Sequence, residues 1–295
     1  MKKISLVLSS GGARGYAHIA AIEELIKAGY EIKSISGSSM GALIGGLYAC
    51  GKMDEYKKWV MSLKFIDIAK LLDFTFKGDG FIGGNKVFEV IEEMISDVKI
   101  EDLPISYTAV ATDIIEQKEV WFQKGKLLDA IRASIAIPTV FTPKKIRDKY
   151  FVDGSVLNPL PIAPTISDDT DMIVAVNVNA RSKHAHLANK KIVKKIEKND
   201  KNFLNKFENK IGTLIQKKKI NTIQDMGILN IMTRSIDTMQ KILTEYKIAG
   251  YSPDLIINIP GNLFDFYEFH KAEEIMEYAR VIIREKYLTI NNSNQ

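Results

Sequence analysis

A three-layer α/β/α architecture, with helices on both faces of a mostly parallel central sheet, is the fold class predicted by this 295-residue sequence. Short apolar runs at 4–8, 32–35, 105–111, 118–122, 146–152, 172–178 and 254–259 alternate with stretches of helical periodicity. The first two runs each end in a turn of small residues that opens a helix. The hydrophobic content of 46% is enough to bury the core of one α/β domain with embellishments, so residues 1–295 are expected to form a single domain. Its core would span 4–180 and 254–287, with a helical insertion at 54–100 and a basic helical region at 181–249.

The first strand, Ile4 to Leu8, leads into Ser9-Ser10-Gly11-Gly12-Ala13-Arg14-Gly15-Tyr16-Ala17-His18. A glycine-rich turn entering a helix presents backbone N–H groups with no side chains in the way, so Gly11, Gly12, Ala13 and Arg14 are candidate oxyanion donors. A dinucleotide loop fits poorly, because a Gly-x-Gly-x-x-Gly ending at Gly15 would need glycine where Ser10 stands. Glu31, at the spacing of a ribose-binding acid, precedes the second strand instead of ending it.

The second run reaches Gly37-Ser38-Ser39-Met40-Gly41, a Gly-x-Ser-x-Gly pattern between a strand and a helix over Met40 to Cys50. Ser39 therefore occupies a sharp strand-to-helix turn, the nucleophile elbow of serine hydrolases. Gly37 and Gly41 suit a turn with no room beside the reactive side chain, and the helix dipole favours negative charge on the nearby oxygen. Within 54–100, Phe65, Leu71, Leu72, Phe74, Phe76, Phe81 and Ile82 either cover an acyl-chain site as a lid with glycine hinges or pack a small helical core. Further on, Asp153 follows an apolar run and enters a turn at Gly154, with five of the eight prolines close by. That restricted loop suits a positioned carboxylate.

Four blocks, Gly-Gly-Ala-Arg-Gly-Tyr-Ala-His at 11–18, Gly-Ser-Ser-Met-Gly-Ala at 37–42, Ala-Ser-Ile-Ala-Ile-Pro at 133–138 and Val-Asp-Gly-Ser-Val-Leu-Asn-Pro-Leu-Pro at 152–161, occur in an order and spacing that resemble the bacterial patatin-like phospholipases. The resemblance covers about 4–180, with a weaker match at 265–280. It implies a lipid acyl hydrolase with Ser39 as nucleophile, Asp153 as general base and the 11–14 amides as oxyanion hole, working through an acyl-enzyme. It also implies that no catalytic histidine, metal or other cofactor takes part. Two positions depart from the family pattern: Ser10 stands for the usual Gly, and Ser155 for Gly or Ala. Ser155, beside the base, bears on the base's hydrogen bonding and hence on rate.

The histidines carry the rival mechanism, since Ser39, Asp153 and His270 follow the chain order of an α/β-hydrolase triad. Only two strands precede Ser39, however, and Phe266 to Lys271 reads as a helix start, which makes His270 a surface or capping residue. His18 reads as a structural support of the glycine loop, and His184 and His186 as solvated linker residues without metal partners. Lone Cys50 has no internal disulfide partner and reads as a buried packing residue in a cytoplasmic protein. No apolar run approaches the length of a spanning helix.

Residues 181–221 hold thirteen Lys/Arg against three Asp/Glu, a formal +10 that leaves −5 on the remainder. Apolar residues recur there at helical steps from Ile192 to Ile215, giving a basic amphipathic helix. It suits either an anionic membrane surface, placing the protein peripherally at the inner membrane, or packing on the domain or in a homo-oligomer interface. Nucleic acid is disfavoured, as no binding module accompanies the charge. Helices over 222–249 and 266–287 complete the outer layers. Against the acyl-lipid hydrolase stand two other classes: a catalytically weak membrane-associated scaffold that keeps the fold, and a nucleotide-binding protein.

Overall fold

The computed structural model describes residues 1–71, 85–138, 140–180 and 228–288. Among the described residues, eight strands form one sheet: β1 (Lys2–Leu8), β2 (Tyr30–Ser38), β3 (Ser106–Asp113), β4 (Lys118–Phe122), β5 (Lys144–Ile146), β6 (Lys149–Asp153), β7 (Met172–Ala180) and β8 (Leu255–Pro260). Their order is β5-β6-β3-β2-β1-β7-β8, with β4 on β3. The pairs β1–β2, β1–β7, β2–β3 and β7–β8 are parallel, while β3–β4, β3–β6 and β5–β6 are antiparallel.

The described helices are α1 (Ala17–Lys27), α2 (Met40–Ala49), α3 (Met53–Ser62), α4 (Phe65–Leu71), α5 (Asn85–Ile95), α6 (Leu127–Ser134), α7 (Ile228–Tyr251) and α8 (Ala272–Ile283). Strand alternation assigns them to two faces. From β1, Ile4, Leu6 and Leu8 enter the main core with Ile19 and Ile22 of α1, Ile44 of α2 and Ile282 of α8. Val7 points the other way, onto Leu160, Ile162 and Ala175, with Ile248 of α7 packed alongside. The result is three layers, α/β/α.

The register along β3 positions the site. β2 pairs with Ser106 to Val110 and β6 with Ala111 to Asp113, while β4 holds Ala109 to Asp113 from the opposite edge. β2 and β6 therefore meet end to end along one edge of β3. Ser38 sits opposite Val110 and Asp153 opposite the next residue, Ala111, so residues far apart in sequence leave the sheet side by side.

Several sequence expectations change. The apolar run 146–152 is a hairpin, β5–β6, because Arg147 adopts a left-handed conformation (φ 54°) and turns the chain. Within Phe266 to Lys271 the helix starts only at Phe269, as a short 3-10 turn (Phe269–Lys271) that runs directly into α8. Cys50 is only half-buried, its Sγ turned toward the Leu47 carbonyl at 3.5 Å. The described part of the 222–249 helix runs from Ile228 to Tyr251. The basic stretch 181–221, with His184 and His186, and the aromatics from Leu72 to Ile82 lie outside the described residues. Among the described residues, no helix is long and apolar enough to cross a membrane.

Candidate active site

Ser39 follows the last residue of β2 and caps α2, with φ 56° and ψ −125°. That region costs a residue with a Cβ roughly 1–3 kcal/mol. The neighbours impose it: the Ser39 amide donates to Ser134 Oγ at 2.9 Å, and Ser134 Oγ donates to Val110 O at 2.6 Å. Gly41 allows the elbow to close on the first strand, since a Cβ there would overlap the Leu8 carbonyl. Ser39→Gly is accordingly expected to be more stable than Ser39→Ala by about 1 kcal/mol, strain relief exceeding the entropic cost of glycine. Urea denaturation of the two variants measures the difference; equal midpoints would mean an unstrained elbow.

The buried Ser39 hydroxyl donates directly to Asp153 Oδ2 at 2.6 Å. No third group stands between the two oxygens. Asp153 Oδ1 accepts from the Ser155 amide at 2.8 Å, and the Asp153 amide donates to Ala136 O at 2.9 Å. Thr112 Oγ1 holds the Asp153 carbonyl at 3.1 Å. Gly154 is required by close approach, because a Cβ would strike Val110 O. Burial raises the Asp153 pKa from 3.8 to about 6, against the opposing effect of hydrogen bonds from Ser155 and Ser39.

The glycine turn lies beside the elbow, with Gly15 packed against Met40. Its donor set is narrower than the sequence implies. Ala13 N already donates to Phe266 O at 2.9 Å, and Arg14, third in the 3-10 turn Gly12–Tyr16, stands where i→i+3 bonding begins. Gly11 and Gly12 amides have no hydrogen-bond partner among the described residues. Arg14 serves as a brace: its buried guanidinium reaches Gly11 O, Gly261 O and Asp237 of α7 at 3.2, 3.3 and 2.9 Å. His18 Nε2 bonds Ser9 O at 2.8 Å, and burial lowers its pKa to about 4, which keeps this ring neutral at pH 7. His270 packs edge-on against Phe65.

Ser39 lines an apolar pocket. Trp59, Leu63 and Ile68 from α3–α4, Phe88 and Ile91 from α5, and Phe141 line it. The insertion thus supplies a wall to the site, although Phe65 is 70% exposed instead of packed inside. Among the described residues, no group of three or more His, Cys, Asp or Glu side chains could hold a metal ion.

Motif reading did not reach Ser134, Ala136, Asp237 or Gln240. The first two lie in the Ala-Ser-Ile-Ala-Ile-Pro block, whose presence was legible but whose contacts were not. The last two sit one turn apart on α7 with no local signature.

A family model of patatin-like phospholipases matches residues 6–166. An uncharacterized NTE family protein of Mycobacterium tuberculosis is 34% identical, covering 95% of this chain and 90% of its own. The mouse patatin-like phospholipase domain-containing protein 6 is 29% identical, over 60% of this chain and 14% of that protein. Among solved structures, VipD from Legionella pneumophila aligns over 96% of this chain and 66% of that one, with TM-score 0.48 and 15% identity, too distant a likeness to argue from.

Proposed function

We propose, for a chain that belongs to the patatin-like phospholipase family, that it hydrolyses carboxylic esters of acyl lipids through Ser39 and Asp153 by way of an acyl-enzyme. The observation that carries this reading is the 2.6 Å hydrogen bond from Ser39 to a buried carboxylate beside an apolar pocket. Ser39 Oγ attacks the ester carbonyl while its proton passes to Asp153 Oδ2. The Gly11 and Gly12 amides receive the developing oxyanion, each such donor contributing on the order of 3 kcal/mol. Collapse returns the proton to the departing alcohol and leaves the acyl group on Ser39. Water, deprotonated by Asp153, then releases the fatty acid.

An ordinary carboxylate is a weak base toward an alcohol, and burial narrows the mismatch by raising its pKa to about 6. The pocket wall of α3 to α5 suits an acyl chain, in phospholipase A or lysophospholipase fashion. The +10 of residues 181–221 complements an anionic bilayer and supports peripheral work at the inner membrane surface.

A fluorophosphonate probe with a lipid panel tests the proposal. Labelling and fatty-acid release are expected in wild type and in His270→Ala, with labelling lost in Ser39→Ala. A folded, unlabelled wild type that still binds anionic vesicles would favour the scaffold reading; loss of activity in His270→Ala would restore an imidazole base.

A further inference from the structure

The carbonyl of Ser10, buried where β1 gives way to the glycines, accepts two hydrogen bonds, from Asn179 Nδ2 at 2.6 Å and from Ser9 Oγ at 3.0 Å. The other end of that peptide unit is the Gly11 N–H, one of the two amides of the turn without a partner among the described residues. No peptide bond among the described residues is cis. In a planar trans unit the N–H points opposite to the C=O, so whatever fixes the Ser10 carbonyl also aims the Gly11 amide. Arg14 Nε does the same for the next unit, holding the Gly11 carbonyl at 3.2 Å and with it the Gly12 amide. The turn lies against the elbow, since a Cβ on Gly41 would meet the Ser9 carbonyl.

A bulge at the end of β7 delivers Asn179 to this turn. Asn177 pairs with Asn258 and Ala180 with Pro260, so residues 178 and 179 together stand opposite Ile259 alone. A bulge of this two-against-one kind re-aims side chains: Val178 enters the main core and Asn179 turns onto Ser10. Three hydrogen bonds lock it. Asn179 N donates to Asn177 Oδ1 at 3.0 Å, Asn177 Nδ2 to Asn258 Oδ1 at 3.1 Å, and Val178 N to Ser9 Oγ at 3.1 Å. A carbonyl only accepts, so Nδ2 is the atom that faces Ser10, and Asn179 Oδ1 is left buried with no partner among the described residues. An orphaned amide oxygen costs stability, so packing alone does not account for asparagine here; the bond from its Nδ2 does.

We propose that Asn179 is a positioning residue for the ester hydrolysis, clamping the peptide between Ser10 and Gly11 so that the Gly11 amide meets the developing oxyanion. This rests on Ser39 as nucleophile and on the glycine turn as oxyanion hole, as proposed above. Asn179 lies beyond residues 6–166, outside the segment matched by the family model. An oxyanion donor is effective when its direction is set before charge develops. A glycine has no side chain to hold its backbone, so that direction must be imposed from outside. The Ser9 hydroxyl, which also accepts from Val178 N, is the weaker of the two restraints on the Ser10 carbonyl.

A tetrahedral analogue separates aim from packing. An alkyl trifluoromethyl ketone takes Ser39 Oγ onto its carbonyl carbon, the hydroxyl proton passing to Asp153 and negative charge settling on the ketone oxygen. An alcohol of the same chain length fills the apolar pocket and forms no oxyanion. Asn179→Leu is expected to lower kcat on a short-chain ester by roughly ten- to a hundredfold, less than the loss of an oxyanion donor outright. Inhibition by the ketone should weaken by a similar factor, with KM and inhibition by the alcohol unchanged. Asn179→Ala removes the same bond without added bulk, gives the same pattern, and decides the matter where Asn179→Leu does not fold. Wild-type kcat in a folded variant would overturn the clamp, as would ketone and alcohol inhibition weakened alike, or a fall in kcat with ketone inhibition intact. Turnover kept in Ser39→Ala would instead sink the nucleophile assignment, whereas an inactive Ser39→Ala beside unaffected Asn179 variants removes the clamp alone.

Discussion

Replacing Ser39 by Ala is expected to lower kcat/KM toward acyl esters by roughly 10⁴- to 10⁶-fold, the loss seen when the nucleophile of a serine hydrolase is removed. The change deletes one oxygen and little else. The amide hydrogen bond to Ser134 and the left-handed backbone remain, as do the Gly11 and Gly12 amides and the apolar pocket. Binding should therefore persist while chemistry fails, so the loss falls on kcat more than on KM. Initial rates on a short-chain ester and a lysophospholipid, alongside unfolding curves, provide the comparison. A folded Ser39→Ala variant within tenfold of wild type would place the nucleophile elsewhere.

Asp153→Asn is expected to cost roughly 10³- to 10⁴-fold in turnover and, at the same time, to make the protein more stable above neutral pH. Burial raises the folded-state pKa of Asp153 from 3.8 to about 6, so the folded protein holds that proton more tightly than the unfolded chain does. Its stabilising contribution is complete below about pH 4 and is lost as pH rises through about 6. At pH 8 the wild type carries an ionised, buried carboxylate at a cost on the order of 2–3 kcal/mol, which a neutral amide avoids. The variant should therefore match wild type near pH 4 and exceed it at pH 8. His18, lowered to about 4, has the opposite pH dependence but is common to both proteins and cancels in their difference. Chemical denaturation at the two pH values measures this. A difference that does not grow with pH would mean that the carboxylate is not held in a desolvated state, and the proposed base would lose the feature that strengthens it.

Local sequence carried a large part of the fold and the centre of the candidate site. Strands buried on both faces announce themselves as short apolar runs, and β1, β2, β3 and β7 lie where those runs lie. The strand-to-helix elbow at Ser39 is legible because its constraint is local: a serine at φ 56° needs small residues within two positions on either side, and Gly37 and Gly41 are there. The β5–β6 hairpin was less legible, since its turn is made by Arg147 and Asp148 without glycine, asparagine or proline.

By itself, the sequence determined that a strained serine and an aspartate entering a glycine turn occur in this chain, on an alternating α/β framework. What only the tertiary structure decided is their meeting. The shared edge of β3 sets Ser38 and Asp153 against consecutive residues, and Ser134 and Ala136 fasten the two loops. It also decided which amides of the glycine turn remain open, because Phe266, distant in sequence, takes the one on Ala13. The physical reason is range: backbone conformation is dictated by neighbours in the chain, whereas hydrogen-bond pairing and desolvation depend on groups brought together by the sheet register and by α7, which no local pattern encodes.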